Sequence, residues 1–171
     1  MIPNSLIMSA FGPYQNVVEI NFDIFKQDGL FLITGPTGAG KTMIFDAITF
    51  ALYGVSSGGE RSVEQFRCNN AENDVATYVI LDFTLHNQRY VIKRSPKYTL
   101  EGRKTPKMPT ALLTLPNGKI VDGVKEVNAK VKELLGIDEK QFKQIAMIAQ
   151  GKFTELIYAG SDEREKVLRN L

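Results

Sequence analysis

Eight residues, Gly35-Pro36-Thr37-Gly38-Ala39-Gly40-Lys41-Thr42, have the types and spacing needed to hold a polyphosphate. Glycines let the backbone approach closely and adopt positive φ, so that successive N–H groups converge on one anion. An ammonium at Lys41 would reach the β- and γ-phosphates. The Thr42 hydroxyl would ligate Mg²⁺, which keeps most of its waters. The cofactors expected are therefore ATP, or a close relative, and Mg²⁺, with Met43 following the cradle on its helix. A plain glycine-rich turn would need no Lys-Thr pair. No Asn-Lys-x-Asp stretch occurs, which disfavours a guanine-specific site.

Such a cradle needs a strand before it and a helix after it. Leu30–Thr34 is continuously apolar and predicts a strand buried on both faces. Met43–Tyr53 has helical spacing, with Gly54 suited to end it. Residues 4–11 and Val17–Phe22 predict strands joined at Gly12-Pro13. Residues 55–75 read as loop. Thr77–Leu85 and Arg89–Arg94 predict a hairpin turning at His86-Asn87-Gln88. Ala111–Leu115 and Lys119–Val121 predict a second hairpin at Asn117-Gly118. Val124, Val127, Val131, Leu134 and Leu135 mark a helix ending at Gly136. Asp138 and Gln141 form a capping box for the next one.

Two segments imitate parts of an ATPase. Asp82, after the apolar run Tyr78–Leu81, has the look of a carboxylate that assists hydrolysis, and a self-contained kinase or nucleotidase would use it so. Its hairpin context instead predicts an antiparallel strand with Asp82 facing outward. Val55-Ser56-Ser57-Gly58-Gly59-Glu60 resembles a serine-glycine signature, but its position directly after the first helix predicts a loop. Gln150, at an apolar helix end before Gly151, could offer its amide oxygen to Mg²⁺ and orient water through its NH₂. It joins Lys41 as a candidate catalytic residue. His86 lacks a second ligand nearby.

The order of parts resembles the N-terminal lobe of the SbcC family of SMC-like, ABC-type ATPases, across nearly the full length. The resemblance rests on Met8–Tyr14, Gly35–Thr42, Phe45–Ile48 with Ala51–Gly54, Gly58–Ser62, Phe66–Cys68, Gln150–Phe153 and Arg164-Glu165. It implies an α/β P-loop NTPase of the ABC/SMC head type, with residues 1–171 forming its N-terminal lobe and residues near 150 a glutamine loop. It further implies a C-terminal lobe of the same protein beyond a coiled coil, carrying the signature and the catalytic carboxylate. A second head, the SbcD nuclease and double-stranded DNA would be the partners, in a bacterial cytoplasm at the nucleoid. Arg67 and Cys68 would lie near the adenine, and Arg61 or Arg67 would link DNA contact to ATPase activation. Archaeal and eukaryotic relatives carry an arginine where this chain has Gly12, so that contact does not carry over.

Bulk properties agree. The 171 residues are 43% hydrophobic and 23% charged, enough for a core in one ordinary domain. A net charge of +2 confines any nucleic-acid surface to a local patch, and residues 93–107 supply one: Lys93, Arg94, Lys97, Arg103, Lys104 and Lys107 against Glu101. The single cysteine, Cys68, suits a reducing compartment. The N-terminus reads as neither a secretory signal nor a membrane span. The final residues read as an unfinished helix, the expected start of the coiled coil.

Overall fold

The computed structural model describes residues 1–26, 31–58 and 62–146. The chain divides into two compact units, Met1–Val131 and Lys132–Leu171. The first contains β1 (Ile2–Ser9), β2 (Val18–Asn21), α1 (Lys41–Tyr53), β3 (Tyr78–Leu85), β4 (Gln88–Ser95), β5 (Thr110–Thr114), β6 (Ile120–Asp122) and most of α2 (Val124–Leu135). Its six strands form one sheet in the order β2-β1-β3-β4-β5-β6, and every pairing is antiparallel.

Alternation along the strands sends Leu6, Met8, Val79, Leu81, Phe83, Ile92 and Leu113 into the core. α1 is buried on most sides: Met43, Ile44, Ala47, Phe50, Ala51 and Leu52 are all enclosed. An aromatic cluster ties the end of β1 to this helix. Phe11 lies 4.8 Å from Phe66 and 6.0 Å from Phe50, ring centre to ring centre. The β3–β4 turn uses His86 and Asn87 at positive φ, and Gly118 does the same between β5 and β6. In the second unit, α3 (Glu139–Ala146) opens with the predicted capping box. The Gln141 N–H donates to Asp138 (2.9 Å), and Gln141 accepts from the Asp138 N–H (3.0 Å).

One predicted strand is absent. Residues 31–34 form no strand, Phe31 is 45% exposed and Leu32 84% exposed. The interior strands β1, β3, β4 and β5 are each paired on both sides, and residues 31–34 pair with neither outer edge of the sheet, β2 or β6. Phe31 instead stacks on Phe25, with ring centres 5.0 Å apart, and sits 6.0 Å from Phe22.

Candidate nucleotide-binding site

The phosphate cradle runs directly into α1, with Gly40 as its N-cap residue. Gly38 and Gly40 have φ of 86° and 91°, a region that costs glycine little. Gly35–Ala39 and Thr42 are exposed. The helix N-terminus has no side-chain cap and no acidic residue in its first turn. Its leading N–H groups, and the positive end of the helix dipole, thus remain available to an anion. The Lys41 ammonium donates to the carbonyls of Gly35 and Pro36, both at 2.8 Å, and so closes over the loop it belongs to. Glycine backbone, an uncapped helix start and a cation at the mouth fit a nucleotide polyphosphate.

The cradle is supported from behind by the turn that follows β1. Phe11 and Tyr14 exchange backbone hydrogen bonds at 3.0 Å. The Gly12 N–H donates to the Phe66 carbonyl (2.7 Å), and the Cys68 N–H to that of Ala10 (2.9 Å). Met43 packs over Gly12: a Cβ there would lie 2.7 Å from the methionine Cε. Cys68 is buried, and its segment forms this supporting wall.

The Arg67 guanidinium is committed to its own neighbourhood. It donates to the carbonyls of Val75, Glu72 and Ala71 at 2.8, 2.8 and 3.3 Å, and to the Thr77 hydroxyl at 2.8 Å, and lies 5.0 Å from the Tyr98 ring centre. Gln150 and Arg61 lie outside the described residues.

Asp82 departs from its expected surroundings while keeping its expected topology. It sits on an antiparallel strand, between β1 and β4, but its side chain is buried rather than outward. Asn4 donates to it at 2.7 Å, and Arg89 pairs with it through Nε at 2.8 Å and through Nη2. Burial by itself would raise its pKa. The hydrogen bonds from Arg89 and Asn4, with the charges of Arg89 and Lys26, outweigh that and hold the carboxyl below its ordinary range.

The basic segment is also smaller than its composition suggests. Arg94 is 2% exposed and belongs to the core. It donates to the carbonyls of Ala51 (2.7 Å) and Leu52 (3.0 Å) at the end of α1, and to the Asn128 side chain (2.6 Å). Burial pushes its pKa down to about 10. Lys97 pairs with Glu64 at 3.1 Å, and Lys93 lies over the Tyr78 ring. Arg103, Lys104 and Lys107 stay exposed on the tip. Ser57, in the signature-like stretch, is held in a loop by Asp46, which accepts from its N–H (2.8 Å) and hydroxyl (2.6 Å). Nothing local in the sequence marks Arg94 as a core residue, since its acceptors stand 42 and 43 positions away.

A sheet-backed helix whose glycine-capped start holds G-x-x-x-x-G-K-T defines an α/β P-loop nucleotide-binding domain. The chain belongs to the AAA domain family, whose model matches residues 5–171. It is also similar to the N-terminal region of two bacterial proteins named as the SbcC component of nuclease SbcCD. The one from Vibrio cholerae is 41% identical over all of this chain and 18% of that protein. The one from Staphylococcus saprophyticus is 36% identical over all of this chain and 17% of that protein. The chain thus spans less than a fifth of either relative. No helix among the described residues is long and apolar enough to cross a membrane.

Proposed function

We propose that this chain is the ATP-binding N-terminal lobe of an SbcC-type ATPase head in a bacterial cytoplasm, serving SbcD-dependent processing of double-stranded DNA ends and hairpins. The carrying observation is the uncapped, glycine-led start of α1 with Lys41 at its mouth. In this reading Gly35–Thr42 and Met43 hold the nucleotide, Thr42 and Gln150 serve Mg²⁺, and Lys41 and Gln150 assist the chemistry. Bound Mg²⁺ would neutralise phosphate charge. Arg67 and Cys68 act through the wall behind the cradle. Arg103, Lys104 and Lys107, exposed on the tip of the basic segment, would meet DNA phosphates.

The exposed run Phe31-Leu32 supports a C-terminal lobe as partner, because an apolar segment beside the cradle gains most from a neighbouring strand. A second head would complete the site. The competing reading, a self-contained kinase using Asp82, loses its key residue: that carboxylate is occupied by Arg89 and Asn4 on an antiparallel strand.

Hydrolysis requires a carboxylate to position water and donors to stabilise charge developing on the γ-phosphate. An amide such as that of Gln150 can place water but is no base. The chain alone is therefore expected to bind ATP and release phosphate only at background. Adding the C-terminal lobe should restore turnover and make it depend on protein concentration. Robust, Lys41-dependent phosphate release by the isolated chain would refute the half-head reading.

A further inference from the structure

The turn after β1 does more than support the cradle. The Tyr14 hydroxyl donates to the Gly40 carbonyl at 3.2 Å, and that same carbonyl accepts from the Met43 N–H at 2.9 Å. A Cβ added to Gly40 would lie 2.7 Å from Pro13 Cγ and 2.9 Å from the Tyr14 hydroxyl oxygen. Position 40 therefore has two independent reasons to be glycine: its φ of 91° and the pressure of Pro13 and Tyr14 against it.

We propose that Tyr14 is a positioning residue for the phosphate-binding loop, aiming the Lys41 N–H by holding the Gly40 carbonyl. The inference rests on the nucleotide-binding reading of this loop. A trans peptide is planar, with its C=O and N–H pointing in opposite directions. Fixing the Gly40 oxygen on the Tyr14 side therefore fixes the Lys41 N–H on the other. Glycine is the residue whose peptide turns most freely, so the conformation that the cradle needs is also the one that most needs an outside anchor.

The anchor itself is rigid. Tyr14 is tied back to Phe11 by two backbone hydrogen bonds, Gly12 to Phe66 by one, and Phe11 is packed among Phe50 and Phe66. Burial raises the phenol's pKa, so the hydroxyl remains a donor at any physiological pH. Preorganised N–H groups bind an anion better than mobile ones, because no ordering remains to be done on binding.

Tyr14→Phe removes the hydroxyl and leaves the ring that packs on Gly40. The test compares Mg²⁺-ATP affinity and thermal unfolding of the wild-type chain, Tyr14→Phe and Lys41→Ala. One lost hydrogen bond should weaken ATP binding by about two- to tenfold, with the unfolding temperature of the free chain unchanged. An unchanged Kd, or a weakened one that follows an equal loss of stability, would overturn the proposal. Failure of the nucleotide reading is distinguishable: wild type and Lys41→Ala would then both bind ATP negligibly. In that event the Lys41 amide resonance of the free chain decides. It should shift or broaden in Tyr14→Phe if the hydroxyl orients that peptide, and an unmoved resonance overturns the proposal.

Discussion

The two ends of α1 are built in opposite ways. Its C-terminal end is sealed: Gly54 turns left-handed with φ 74°, its N–H returns to the Phe50 carbonyl at 2.8 Å, and Arg94 covers the carbonyls of Ala51 and Leu52. Its N-terminal end carries no side-chain cap. Every helix start leaves N–H groups without intrahelical partners, and Ser, Thr, Asp or Asn usually satisfies one. Leaving that end open gives up stability that a bound phosphate would return. The contrast separates backbone groups satisfied by the fold from those kept for a ligand.

The sharpest way to break the comparison is to remove the charge at the open end. Lys41→Ala should weaken ATP binding by about 10- to 100-fold, the range of a charge-assisted hydrogen bond, and leave thermal unfolding nearly unchanged. Titration with Mg²⁺-ATP checks it, and equal affinity in the two proteins would remove the distinction between the ends.

Substitution at the sealed end should do the reverse. Arg94→Met leaves two helix carbonyls and the Asn128 amide without their donor. The cost is about 2–3 kcal/mol, or about 4–12 °C in unfolding temperature for a chain of this size. ATP affinity, measured well below the unfolding temperature, should change less than in Lys41→Ala. The guanidinium is desolvated with no carboxylate partner among the described residues, so the measured loss also tells how far the helix terminus compensates the charge.

Asp82, at neither end, supplies the smallest effect. Its lowered pKa means that its ion pair contributes fully above about pH 4 and is lost as pH falls through the folded-state value. Arg89 is largely exposed, so solvent screening keeps the contribution small. Asp82→Asn should flatten the acid limb of the stability curve while leaving ATP binding intact. A loss of nucleotide affinity in Asp82→Asn would instead give that carboxylate a part in the site.

Features governed by neighbours in the chain were legible from the residues alone. The cradle, the glycine that ends α1, the Asn-Gly turn and the capping box at Asp138 each depend on a few consecutive residues whose backbone preferences and hydrogen bonds are local. The hairpin placing Asp82 on an antiparallel strand was legible for the same reason. The structure departs from the local pattern where the deciding partner is distant. Leu30–Thr34 has the composition of a buried strand, but a strand exists only with a neighbour to pair with, and composition does not supply one. Asp82 has an outward polar residue's pattern, yet Asn4 and Arg89 cover its carboxylate. Arg94 sits in a basic run and still belongs to the core, because the end of α1 needs donors there.

The sequence by itself determined a glycine-rich, lysine-bearing loop that opens a helix, since eight adjacent residues carry the donors and the conformational freedom that a polyphosphate would require. Only the tertiary structure decided which side chains hold that cradle in shape. Tyr14 reaches Gly40 across 26 residues, and Arg94 reaches α1 across more than 40. Hydrogen bonds over such separations follow from how the sheet packs against the helix, and no local preference encodes them.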